Sequence, residues 1–147
     1  MCALRKERSA KNEIDDRARG LLPVLREAVD NLALQVKSSI GKDASRGKLS
    51  VGGWSNAAGI ASASLSYLPS RDPRSESLDA VVSISLAGET PRFRADIAWS
   101  DGRIVTEVAN QEILGATEKE VLQEVKKAAQ EAATHMAESL PSFIANI

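Results

Sequence analysis

Residues 78–109 read LDAVVSISLA, GETP, RFRADIAWS, DG and RIVTEVA. Apolar residues fall at every second position in three runs, and turn-forming residues separate the runs. This pattern predicts three antiparallel strands with one apolar and one polar face. Leu78, Ala80, Val82, Ile84 and Leu86 share a face in the first run. Phe93, Ala95, Ile97 and Trp99 do so in the second, and Ile104, Thr106 and Val108 in the third. Asp101-Gly102 predicts a two-residue type I′ turn, in which both central residues take positive φ. That turn sets Trp99 opposite Ile104, Ile97 opposite Thr106 and Ala95 opposite Val108. A loop at Gly88–Pro91 sets Leu86 opposite Phe93, Ile84 opposite Ala95 and Val82 opposite Ile97. A slip of one residue would turn every strand inside out, so the agreement of the apolar faces supports the pairing. It puts Trp99 at the centre of the core, among Ala80 and Ile104.

Two further strands are expected upstream. Lys48–Trp54 is a weak edge strand diluted by Gly52 and Gly53, which suit a bulge or a close backbone approach. Ile60–Leu68 alternates Ala61, Ala63, Leu65 and Tyr67 with Ser62, Ser64 and Ser66. Helices flank the five strands. Ile14, Ala18, Leu21, Leu25, Ala28, Leu32, Val36 and Ile40 recur at three- and four-residue spacing, one face of a helix. Pro23 is expected to kink this helix or to lie in its first turn, and Gly41 to end it. Thr117, three residues before Glu120, forms a capping box: the hydroxyl takes the Glu120 amide and the carboxylate reaches the Thr117 amide. The following helix, with its stripe of Val121, Val125, Ala128, Ala132 and Met136, is expected to reach about Ser139, before Pro141. The tail holds Phe143, Ile144 and Ile147, suited to close the core or to dock on a partner.

The expected fold is therefore a two-layer α+β domain spanning residues 1–147. It has a long N-terminal helix, a five-stranded antiparallel meander, and a long C-terminal helix packed on one face of the sheet. Residues 1–12 are read as a frayed terminus. The segments 42–47 and 69–77 are loops by composition, the second the better candidate for a mobile or binding loop.

Composition narrows the function. The 19 basic and 20 acidic residues leave a net charge of −1, which argues against a chain that grips phosphate backbones. Two Trp, one Tyr and two Phe are few for a base-stacking platform. The lone Cys2 cannot form an internal disulfide, and residues 1–30 hold no signal-like apolar run. No run approaches the ~20 apolar residues of a membrane span. The expected setting is the cytoplasm, with neither nucleic acid nor membrane as partner.

No nucleotide, metal or catalytic motif stands out, and no cofactor is expected. Gly41-Lys42 and Gly47-Lys48 are too short for a phosphate loop. His135 lacks an identifiable catalytic partner. The candidate ligand-binding residues are Arg94, Asp96 and Glu107. The pairing above puts Asp96 opposite Glu107, with Ser83 on its other side, and places Arg94 diagonal to Glu107 beside Ser85. Two carboxylates next to an arginine suit proton transfer or cation binding, or form a solvated outer face in which Arg94 offsets like-charge repulsion. The expected function is a non-enzymatic interaction module, an adaptor, chaperone or inhibitor. It would act through a sheet edge, the outer sheet face or the apolar tail, on a protein partner or a second copy of itself, with the 103–109 strand as the more inviting edge. The alternative is a small-molecule-binding or enzyme-like domain whose pocket lies between the sheet and the C-terminal helix, lined by Trp54, Tyr67 and Trp99.

Overall fold

A computed structural model describes residues 2–40, 47–69 and 76–146, with side chains of the first helix from residue 13 to 39. The order is α1 (Cys2–Ile40), β1 (Lys48–Ser55), β2 (Ile60–Leu68), β3 (Leu78–Ser85), β4 (Arg92–Trp99), β5 (Ile104–Glu112) and α2 (Glu118–Ala145). The five strands form one open antiparallel sheet in the order β1-β2-β3-β4-β5. The two expected loops fall largely outside the described residues, as do Gly41 and Ile147.

The period of two and the period of 3.6 meet in one core. From the sheet come Ala61, Leu65, Leu78, Val82, Phe93 and Ile97. From α1 come Ala18, Leu21, Leu25, Ala28, Leu32 and Val36, and from α2 Val121, Val125, Ala128, Ala132 and Met136. Both helices therefore cover the same sheet face. α1 lies over β1 and β2, and α2 over β3 to β5. The helices run side by side and parallel. Arg17 forms an ion pair with Glu118 at 2.7 Å near the start of α2, and further along Ala28 and Leu34 share a groove with Ala133 and Thr134. Gly53 explains how close α1 comes. A Cβ there would sit 3.1 Å from Leu22 Cδ1 and 3.2 Å from both Arg26 Cγ and the Ser62 carbonyl.

Both helices run longer than the sequence suggests. α1 is continuous through 39 residues, including the stretch expected to fray, and Pro23 lies inside it. Pro23 is exposed, on the side of α1 away from the core. The missing hydrogen bond to the Arg19 carbonyl therefore falls beside solvent. α2 continues past Ser139 and through Pro141 to Ala145. Phe143 and Ile144 pack against the core, and that burial holds the last turn. The capping box forms with one change. Glu120 N–H donates to Thr117 Oγ1 at 3.2 Å, while Glu120 Oε2 accepts from the Ala116 amide at 2.9 Å, one residue before the expected donor.

The hairpins depart from the expected geometry in three ways. First, Asp101 is not in the positive-φ region; Gly102 is, at +86°. The Gly102 amide donates to the Trp99 carbonyl at 2.9 Å and the Trp99 amide to the Arg103 carbonyl at 2.9 Å. That is a three-residue loop with a glycine bulge, not a type I′ turn. Asp101 Oδ1 instead accepts from the Arg103 amide at 2.8 Å. Asn56–Ile60 repeats the design with Gly59 at φ +80°. Second, β3 and β4 pair with Ile84 opposite Phe93 and Val82 opposite Ala95, two residues away from expectation. Third, β4–β5 shifts register at Ala95/Asp96 and at Ile97/Ala98. Ile97 opposite Thr106 survives, but Ile104 moves opposite Ala98 and stays exposed, and Ala109 rather than Val108 faces Ala95.

The β3–β4 difference moves Trp99 away from the centre of the core. Trp99 lies opposite Leu78 at the end of the sheet, half-buried, with the Arg103 guanidinium 6.0 Å from its ring centroid. Phe93 takes the central position and is fully buried. Trp54 pairs with Ser62 on the polar face and is 53% exposed.

Candidate functional site

The sheet brings Arg94, Asp96 and Glu107 together. Alternation puts Arg94 and Asp96 on the outer face of β4, and Asp96 lies opposite Glu107 as expected. Arg94 Nε donates to Asp96 Oδ2 at 2.9 Å, and its Nη2 lies 3.2 Å from Glu107 Oε2. One guanidinium thus bridges two carboxylates that would otherwise repel across the strands.

The other side of Asp96 differs from expectation. The two-residue difference in β3–β4 pairing puts Val81 beside Asp96 and moves Ser83 opposite Arg94. A hydroxyl donor is replaced by an apolar side chain. The Asp96 side chain is only 15% exposed, and its Oδ1 is buried without a hydrogen-bond partner. Burial holds the Asp96 carboxyl above its ordinary value of 3.8; the charge and hydrogen bond of Arg94 oppose this, and the Glu107 charge adds to it. Arg94 and Glu107 are 41% and 48% exposed. A second ion pair, Arg92 to Glu112 at 3.3 Å, with Arg92 also donating to Asn110 Oδ1 at 2.8 Å, extends the polar rows. The chemistry on offer is charge pairing around one partly desolvated acid, on the side of the sheet away from both helices.

Many of the other outer-face residues on β1 to β3 are small. Ser50 and Gly52 on β1, Ser62, Ser64 and Ser66 on β2, and Ser83 and Ser85 on β3 share this face. Ser62, the partner of Trp54, is buried. Elsewhere, a surface groove of about 680 Å³ runs between the middle of α1 and the start of α2, with Gly20, Leu21 and Leu122 between Glu13, Asp16 and Glu118. His135 is exposed and lines a crevice of about 250 Å³ with Glu131, Asn110 and Gln111. Among the described residues no helix is long and apolar enough to cross a membrane.

No family model, no curated protein and no solved structure matches this chain.

Proposed function

We propose that the chain is a non-enzymatic interaction module of the adaptor, chaperone or inhibitor kind, acting in the cytoplasm through its open sheet. The observation that carries this reading is the placement of both helices on one face. That placement leaves the outer face and the lateral edges of β1 and β5 without cover among the described residues. A strand edge presents a row of backbone donors and acceptors that another strand can satisfy. β1 is the better edge. It is eight residues long, pairs with β2 without a register shift, and carries the half-exposed Trp54. β5, the edge favoured by sequence, has two register shifts that spoil a straight template. The apolar tail is a poorer docking element, because Phe143 and Ile144 pack on the chain's own core.

The pocket alternative asks Trp54, Tyr67 and Trp99 to line one cavity. Trp54 lies on the opposite sheet face from the other two.

A photo-crosslinking residue at position 54, with a control at exposed Lys126 on α2, tests the proposal in native extract. The expected result is a protein adduct at 54 and not at 126. Adducts equal at both positions, or none at 54 with a small molecule retained by the chain, would count against it.

A further inference from the structure

We propose that β1 pairs antiparallel with β1 of a second copy across a two-fold axis at Val51, joining two sheets into one. This inference rests on the reading that the chain works through a sheet edge. Alternate β1 residues turn their backbone groups away from β2. The Asn56 amide donates to the Ile60 carbonyl at 3.0 Å, so Asn56 points its backbone groups toward β2. Bonded and non-bonded pairs alternate along an antiparallel ladder. Lys48, Ser50, Gly52 and Trp54 therefore bond β2, while Leu49, Val51, Gly53 and Ser55 point theirs outward. A two-fold axis at Val51 matches the outward set to itself: Val51 faces Val51 and Leu49 faces Gly53 of the second copy. On the outer face the same pairing sets Lys48 opposite Trp54 of the second copy, an arrangement suited to a cation–π contact.

The helix layer fits this pairing. α1 lies over β1 and β2. With strands ~4.8 Å apart, its axis falls about 5 Å from the two-fold axis. The two α1 helices then lie about 10 Å apart, at the outer end of normal helix packing distances of ~8–10 Å. The flank of α1 turned away from α2 lines a shallow groove with Arg19, Leu22, Pro23, Arg26, Glu27 and Asp30. Arg19 is tied to Asp15 and Asp16 of its own helix. Arg26, Glu27 and Asp30 hold no ion pair among the described residues. Leu22 and Arg26 lie over Gly53, and Ile14 lies by Gly59, so α1 runs antiparallel to β1. Val51 lies two residues, about 6.6 Å, before Gly53, a span of about four residues along α1, so the two-fold axis passes α1 near Ala28. It brings Arg26 of each copy against Asp30 of the other. These opposite charges on the two sides of the axis are the pattern a second copy complements.

Sedimentation velocity up to near-millimolar concentration, with amide exchange on the same samples, tests the pairing. The wild-type chain is expected to form a dimer in which the Leu49, Val51, Gly53 and Ser55 amides become protected. Arg26→Glu and Asp30→Arg alter exposed residues only, and each is expected to weaken the dimer about tenfold. An equal mixture of the two variants should recover it, because Glu at 26 then meets Arg at 30 in the other copy. An effect on helix stability alone would not be rescued by mixing. A chain that remains monomeric throughout, or a dimer whose Val51 and Gly53 amides still exchange freely, overturns the pairing. An adduct of position 54 with a different protein would, beside a monomeric chain, leave the broader interaction reading standing.

Discussion

Asp96 answers to burial and to two charged neighbours at once. Arg94 favours its charged form, while burial and Glu107 disfavour it, and burial is the largest effect. Its folded-state pKa is therefore above the unfolded one. The Asp96 contribution to stability is fully present below the unfolded value and is lost as pH rises through the raised folded value. Urea melts across the acid range should show wild type losing stability relative to Asp96→Asn as pH rises, and the reverse trend would contradict the desolvation argument. Glu107→Gln removes the charge that adds to the effect of burial, so the Asp96 titration followed by NMR should move down. Its stability should change by less than about 1 kcal/mol, because the Arg94–Glu107 pair is nearly half exposed. The trio itself was legible in the sequence, since alternation puts all three on the outer face and the expected Asp-Gly turn sets Asp96 opposite Glu107, a pairing that the register shift at Ile97/Ala98 restores. The orphaned Oδ1 was not, because it depends on Val81 and not Ser83 lying alongside. Phe93 and Trp99 exchange importance for the same reason. Phe93→Ala should cost about 3–5 kcal/mol, and Trp99→Ala clearly less, in parallel denaturant melts.

At the level of elements, side-chain period told faces but not register. Moving β3 by two residues against β4 leaves every apolar side chain on the inner face, so no hydrophobic pattern distinguishes Leu86–Phe93 from Ile84–Phe93 pairing. Loop geometry decides, and Gly88–Pro91 alone does not specify it. The Asp-Gly pair was read as a type I′ turn, although the same residues also suit the three-residue loop in which only Gly102 needs positive φ. Gly102→Ala should therefore destabilise by about 1–2 kcal/mol, whereas Asp101→Ala loses only the side-chain bond to the Arg103 amide. The helix ends show the opposite balance. Thr117 was readable because its cap is local, and Thr117→Ala should lower stability by about 1 kcal/mol. An unchanged thermal midpoint would place the helix start elsewhere. The passage of α2 through Pro141 was not readable, because tertiary packing of Phe143 and Ile144 outweighs the local cost of proline.

On the scale of the whole molecule, the layer order followed from the sequence because each helix stripe and each strand face needs one shared interior. How that leaves the edges was less evident. Gly52 and Gly53 made β1 look frayed, yet Gly53 is where α1 settles onto the sheet, and the strand extends through Ser55. The regular edge is consequently β1, while the valine-bearing β5 is bent by its register shifts. Binding is expected to occupy the outer edge of β1, which no other strand pairs with among the described residues. Residue-resolved amide exchange measures this directly, first on the dilute chain and then in native extract. In dilute buffer, Leu49, Val51, Gly53 and Ser55 should exchange fast, and Ser50, Gly52 and Trp54 slowly. In extract the fast set should become protected. Fast exchange at Val51 and Gly53 in extract, with new protection confined to the groove between Gly20 and Leu122, would contradict the account.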